Sequence, residues 1–265
     1  KKPRKMWTKT LLALVLLTGQ LAAPFQPAFV PTHLRRTILR VGGFEYQPPD
    51  SAPSNPYSSG EKDGEPKTAD AARLLAPRLG GTNLYLVGLM GSGKTAVGSS
   101  LALRLGSYTF LDTDKVITDL TKVPISEYFE SEGEEAFREL ESNVLSEIHG
   151  HVRLVVSTGG GIVVKPFNWS KLQTGIVVFL DVDVKVIAER LKGDTTRPLL
   201  SDDVEGDLTR IMAERRKMYE QADVVVTVGP EGVEDVVEAV VKETHKFIDE
   251  NPPKTYEPPA AGGGE

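Results

Sequence analysis

The run Leu84-Tyr85-Leu86-Val87, followed by Gly88-Leu89-Met90-Gly91-Ser92-Gly93-Lys94-Thr95, constrains this chain more than any other stretch. Four apolar residues ending in glycine read as a buried strand. Apolar spacing at Ala96, Val97, Leu101 and Leu105, stopped by Gly106, reads as the helix that follows. G-x-x-x-x-G-K-[ST] between a strand and a helix is a phosphate-binding loop in its required context. The glycines permit backbone angles that turn successive N–H groups inward, and the helix N-terminus adds positive potential. Lys94 supplies a mobile charge and Thr95 a hydroxyl for Mg²⁺. Nucleotide phosphates therefore fall to Gly91, Ser92, Gly93, Lys94, Thr95 and Ala96. A glycine-rich turn with a chance lysine would explain the composition but not the flanking elements. The loop alone does not choose among kinase, ATPase and GTPase. A GTPase is disfavoured because no N-K-x-D run is present and the D-x-x-G at Asp203 to Gly206 follows no strand.

Apolar runs at Leu84 to Val87, Thr109 to Leu111, Val152 to Ser157, Ile176 to Leu180 and Val224 to Val228 predict five strands. Further helical patterns lie at 115–131 and 134–149, separated near Gly133, and at 183–192, 204–221 and 232–248. Such alternation predicts a parallel sheet covered on both faces, with ligands at the carboxyl ends of the strands.

Composition and charge limit the partners. Hydrophobic residues make up 40% and charged residues 26%, ordinary for a globular chain. Residues 1–44 hold eight Lys or Arg and no acid, which leaves 23 basic against 37 acidic residues, net −14, in the remainder. A body that acidic repels a phosphate backbone, so no nucleic acid is expected, whereas a small anion held by local arginines is. The absence of cysteine excludes a disulfide framework and thiolate metal sites. His33, His149, His151 and His245 show no ligand spacing and read as solvated polar residues.

The first residues read as an address. Basic residues up to Lys9, an apolar run Leu11 to Leu17 and small Ala22-Ala23 are the three parts of a secretory signal. The run is too short for a convincing span, so no stable membrane association is expected. The basic, acid-free Thr32 to Arg40 is similar to a transit peptide. Signal followed by transit resembles the bipartite presequence of algae whose plastids lie inside extra membranes; plain secretion is the alternative. Proline and polar residues dominate Gln47 to about Ala69 and the stretch from Asn251, too little apolar surface to offset ordering entropy. The expected organisation is a presequence at 1–44, a disordered linker at 45–81, one folded domain at 82–249 and a disordered tail at 250–265.

Further clusters bracket the strands: Asp112-Thr113-Asp114, then Gly133-Glu134-Glu135-Ala136-Phe137-Arg138-Glu139-Leu140-Glu141, then Thr158-Gly159-Gly160-Gly161. A positioned carboxylate can orient an acceptor hydroxyl and take its proton late in phosphoryl transfer. Guanidinium forks suit planar carboxylates, and glycines let backbone amides approach a ligand closely. Taken singly, each has a plainer reading. Asp114 can cap the following helix, Arg138 can pair with Glu134 or Glu141, Arg215 can be a solvated helix-face residue, and the glycines can be a turn. With Thr196-Arg197-Pro198-Leu199-Leu200 and Arg215-x-x-x-Tyr219, these ordered motifs resemble the shikimate kinase family over nearly all of 82–240. Lys165-Pro166-Phe167-Asn168-Trp169 is similar to the plastid members.

The resemblance implies an α/β, three-layer P-loop kinase fold of nucleoside-monophosphate-kinase type, its five-stranded parallel sheet in the order 2-3-1-4-5. It implies transfer of the ATP γ-phosphate to the 3-hydroxyl of shikimate with Mg²⁺, by a monomer or weak dimer. Lys94, Asp112, Asp114 and Arg197 are then the catalytic set. Asp112 and Asp114 are expected to alternate across an extended segment, Asp112 with Thr95 on the metal side and Asp114 on the substrate hydroxyl. Arg138 and Arg215 would hold the substrate carboxylate, with Gly159, Gly160 and Gly161 against the ring. Arg197, in a lid from Gly193 to Asp203, would close on the phosphates, and the Gly229-Pro230-Glu231 turn would meet adenine. One departure is Lys217-Met218, where many relatives carry Pro-Leu ahead of the tyrosine. Arg216 adjoins Arg215, so the clamp is open by one residue. Rival readings are a gluconate or nucleotide kinase of the same fold, disfavoured by the paired arginines and the glycine turn, and a non-catalytic homologue. The latter should have lost a Lys, Asp or Arg of the set, and none is missing.

Overall fold

Five short apolar runs line up side by side in the computed structural model, which describes residues 68–192, 199–201 and 203–252. They are β1 (Leu84–Val87), β2 (Thr109–Asp112), β3 (Leu154–Ser157), β4 (Ile176–Val182) and β5 (Val224–Val228). All pair in parallel, in the expected order β2-β3-β1-β4-β5. Every residue of β1 and β3 is buried, because helices cover both faces, whereas edge strand β5 alternates buried and exposed. Ser157 is in register with both Leu86 and Asp112, so the carboxyl ends of β1, β2 and β3 finish level. That shared edge positions the site.

The described residues also form α1 (Thr68–Leu79), α2 (Lys94–Leu105), α3 (Thr113–Thr121), α4 (Ile125–Ile148), α5 (Pro166–Leu172), α6 (Val184–Arg190), α7 (Val204–Tyr219) and α8 (Val233–Glu250), with a 3-10 turn at Ile162–Val164. Helix α8 shows why such segments dock: Val236, Val237, Val240 and Val241 form one apolar stripe, all buried, while its first turn carries Glu234 and Asp235 at the positive end of the helix. Among the described residues no helix is long and apolar enough to cross a membrane.

Three expectations need correction. The linker expected at 45–81 gives way at Thr68 to α1, because Ala72, Leu75 and Leu79 recur at helical spacing and are buried against α2 and α8. Burying Leu75 and Leu79 contributes about 1.5–3 kcal/mol each, enough to order a segment whose polar half looks linker-like. Arg78 pairs with Asp249 and donates to His245 Nδ1 (2.6 Å), and the other ring nitrogen of His245 lies 3.0 Å from the Ala71 carbonyl. The helix expected at 115–131 is two: α3 stops at Lys122, which has a left-handed φ of 62°, and Pro124 opens α4. Proline disfavours the helical region for the residue before it and suits the first turn of a helix better than its interior. The break expected near Gly133 is present as a kink inside α4 (φ 86°, ψ 169°), a backbone conformation open chiefly to glycine. Helix α5 was not expected; it is a single short piece opened by Pro166 and anchored by buried Trp169 and Leu172. Residues 1–67 and 253–265, and with them the presequence and tail, lie outside the described residues.

Candidate active site

The loop after β1 turns on glycines with positive φ: Gly88 at 144°, Gly91 at 76° and Gly93 at 91°. Gly93 is the left-handed residue ahead of α2, whose first turn carries no acid to oppose an anion. The Lys94 ammonium is seated across the loop, donating to Gly88 O (2.8 Å), Leu89 O (2.7 Å) and Ser92 Oγ (3.3 Å). Thr95 Oγ1 donates to Asp112 Oδ2 at 2.7 Å and lies 3.4 Å from Ser157 Oγ. Asp112 Oδ1 accepts from the N–H groups of Asp114 (3.0 Å) and Lys115 (3.2 Å). The cap of α3 is thus Asp112, not Asp114. Here the expected alternation across an extended segment is corrected: Asp112 ends β2, and Asp114 stands in the first turn of α3. The two carboxylates still face different ways, one to Thr95 and the other into the cavity described below.

Across from the loop, a charged cluster is buried. Arg138 donates from Nη1 to Glu141 Oε2 (2.5 Å), and from Nη2 and Nε to Glu134 Oε1 (2.9 and 3.2 Å). The plainer reading of Arg138 as a partner of its helix neighbours is therefore correct, and it coexists with burial of the guanidinium at 7% exposure. The guanidinium also lies 5.7 Å from the ring centre of Phe129 and 5.5 Å from that of Phe137. Burial alone would depress Arg138, but Glu141 and Glu134 outweigh it and hold the guanidinium above its ordinary value. Glu141 is 1% exposed. Burial pushes its carboxyl up to about 7, Arg138 opposing and Asp114 adding to the shift.

The turn after β3 is fitted against this cluster. A Cβ on Gly161 would overlap the Arg138 guanidinium, and one on Gly159 would overlap Glu141 Oε1, so a side chain at either position would displace a member of the cluster. Thr113 Oγ1 accepts from Gly159 N (3.0 Å), and Gly160 O accepts from Tyr219 OH (2.6 Å) and Arg215 Nη1 (3.2 Å). Tyr219 is stacked on Phe179 with ring centres 5.0 Å apart, which fixes the end of α7 over β4. Arg215 is buried and faces the cluster, whereas Arg216 is exposed and pairs with Asp181 (2.7 Å) and Glu220 (2.9 Å). Of the two adjacent arginines, Arg215 is the one that faces inward.

Loop and cluster are opposite walls of one cavity of about 380 Å³. Gly91, Gly93, Lys94, Thr95 and Ala96 line one side; Asp114, Arg138, Gly159, Gly160, Gly161 and Arg215 line the other. Ser92 does not line it but is buried beneath, holding Lys94, and Asp112 reaches it only through Thr95. Arg197 lies outside the described residues. Several lining residues were not expected in the site. Glu141 stands i+3 from Arg138 inside a quoted run, and Phe129 and Phe137 form an apolar wall that reads from sequence as ordinary core. Arg190, at the end of α6, reaches toward Gly229 O (3.5 Å), next to the turn expected to meet adenine. Asp203, set aside above as a chance match, caps α7 by accepting from Gly206 N (3.0 Å).

A five-stranded parallel sheet in this order, with a phosphate loop after its central strand and a charged wall facing it, defines a P-loop kinase fold of the nucleoside-monophosphate-kinase type. A family model for shikimate kinase matches residues 90–245. The chain is 49% identical over 164 residues to the shikimate kinase of Thermosynechococcus vestitus, covering 62% of this chain and 89% of that one. It is 46% identical over 179 residues to that of Trichormus variabilis, covering 64% and 98%. Among solved structures, it resembles a shikimate kinase from Acinetobacter baumannii in complex with shikimate (TM-score 0.59, 36% identity, 65% of this chain and 96% of that one). It also resembles one from Aquifex aeolicus (TM-score 0.54, 34% identity, 62% and 96%). The chain belongs to the shikimate kinase family.

Proposed function

We propose that this chain transfers the γ-phosphoryl group of ATP to the 3-hydroxyl of shikimate, giving ADP and 3-phosphoshikimate. The observation that carries the reading is the pair of buried arginines, Arg138 and Arg215, converging on the glycine turn across one cavity from Lys94. Two inward guanidinium groups suit a planar carboxylate, which hydroxyl-only acceptors lack. With the carboxylate held there, Asp114 accepts a hydrogen bond from the hydroxyl and takes its proton as the oxygen–phosphorus bond forms and the bond to the β-phosphate oxygen breaks. Lys94 and the loop N–H groups offset charge on the transferring group, and Arg197, by family resemblance, closes over the phosphates.

Thr95 Oγ1, the Asp112 carboxylate and Ser157 Oγ form an all-oxygen group beside the loop. That donor set fits Mg²⁺, which takes few protein ligands and keeps waters and phosphates. No cluster of three or more acidic, His or Cys ligands occurs among the described residues, and such an ion does not need one. Thr95 and, through water, Asp112 would hold it; bound with ATP it would neutralise phosphate charge.

Release of ADP, measured with shikimate, quinate, gluconate and AMP as acceptors, tests the reading. Turnover is expected with shikimate, whereas turnover with gluconate or AMP alone would replace it by another kinase of this fold. No turnover with any acceptor would favour a non-catalytic homologue. Sedimentation is expected to show a monomer or weak dimer. Residues 1–44, acid-free and with an apolar run behind a basic start, support delivery to the plastid through the endoplasmic reticulum, and similarity to cyanobacterial proteins is compatible with it. A fluorescent protein fused behind residues 1–80 is expected in the plastid of an alga with complex plastids, and in the cytosol once residues 10–18 are removed. Secretion of the full fusion would favour a plain signal peptide.

A further inference from the structure

Glu141 has no part in that scheme, yet among the described residues it is the only buried carboxyl group. Its Oε2 accepts from Arg138 Nη1, and its Oε1 is buried with no hydrogen-bond partner. The point where a Cβ on Gly159 would sit overlaps Oε1 and lies 2.9 Å from Asp114 Oδ1, so two carboxylates crowd the same glycine. The groups that face Glu141 are Arg138 on its own helix, Asp114 on α3, and Arg215 and Tyr219 on α7; Glu134 acts only through Arg138. A substrate carboxylate arriving at the buried Arg138 and Arg215 brings a further negative charge beside the buried Glu141. There Glu141 already competes for the same guanidinium.

Charge can be balanced without moving any side chain. A proton on Oε1 neutralises Glu141 and gives the bare oxygen a donor, while Oε2 still accepts from Arg138 and keeps the fork in place. We propose that Glu141 is a positioning residue of the acceptor site and takes up one proton when a carboxylate substrate binds, releasing the positive charge of Arg138 to that substrate. This rests on the reading of the acceptor wall given above. The raised carboxyl, about 7 before substrate arrives, places the coupling in the neutral range. Because the protonated form is the one that binds, affinity is full below about pH 7 and falls as pH rises through it, by up to about tenfold per unit.

The test is calorimetric titration of the full chain with shikimate in buffers of differing ionisation enthalpy. At pH near 7 the heat is expected to vary with buffer as uptake of up to about half a proton per shikimate, since half the sites are already protonated. Uptake shrinks toward pH about 5.5, where Glu141 is already neutral. Glu141→Gln, a fixed mimic of the protonated form, is expected to bind with no proton exchange and a dissociation constant flat across the neutral range. Binding by the unaltered chain with buffer-independent heat overturns the proton coupling alone, and needs no variant to fold. Uptake that persists in a folded Glu141→Gln variant assigns the proton elsewhere and also overturns it. Absence of shikimate binding at every pH overturns the acceptor reading itself.

Discussion

On the nucleotide side of the cavity, one contiguous segment, 88–95, supplies nearly everything: its glycines shape the backbone, and its lysine rests on its own carbonyls. On the other side, α3, α4, the turn after β3 and α7 all contribute groups, and the arginines and Glu141 are buried. The loop needs only its own sequence to form an anion site. The opposite wall exists only when four elements spread between residues 113 and 219 have packed, and each buried charge there needs its partner. The nucleotide side is therefore a local device and the acceptor side a product of tertiary structure. Damage to the two should have different signatures.

The largest effect expected is on the local device. Lys94→Ala removes the charge that the proposed function assigns to the transferring group and is expected to lower kcat about a thousandfold with the fold intact, checked by turnover beside circular dichroism. Near-wild-type turnover in a folded variant would break the comparison at its stronger half. Asp114→Asn keeps size but loses charge and basicity, and its expected loss of about a hundredfold falls on kcat rather than on either KM. Next come the adjacent arginines. Arg215→Ala is expected to raise the shikimate KM about tenfold or more, whereas Arg216→Ala removes only exposed pairs with Asp181 and Glu220. The latter is expected to cost about 0.5 kcal/mol of stability in denaturant unfolding and to leave both KM values unchanged. Reversal of this pair would place the clamp one residue along.

The same contrast explains what could be read before the structure. The central strands were legible because both faces of the sheet are covered there, which makes β1 and β3 apolar runs; the strand order came from the family resemblance. The phosphate loop was legible because its chemistry is contiguous. Helix α1 was missed because Pro77 stands inside it and a proline-rich stretch precedes it, and the value of Ala72, Leu75 and Leu79 appears only against α2 and α8. The break at Lys122 was missed because a left-handed lysine has no strong signal, although Pro124 offered one. Arg138 and Arg215 could be singled out only by family resemblance, since a lone arginine on a helix is ordinarily solvated. Glu141 was passed over for the same reason, and Phe129 and Phe137 because an aromatic at helical spacing does not announce whether it faces core or cavity. The capping role went to Asp112 instead of Asp114 because helix α3 begins at Thr113, two residues earlier than its spacing suggested.

The claim that the two sides are separable is tested most directly by Arg138→Ala, assayed over a two-substrate kinetic matrix with nucleotide binding measured on its own. Removing a charge-assisted contact worth about 1.5–3 kcal/mol in ground and transition states alike is expected to raise the shikimate KM roughly ten- to a hundredfold. ATP affinity is expected to stay within about twofold of the unaltered chain, because no atom of Arg138 touches the loop 88–95 among the hydrogen bonds and ion pairs of the described residues. Weakened ATP binding with an unchanged shikimate KM would move Arg138 to the nucleotide side and contradict the account.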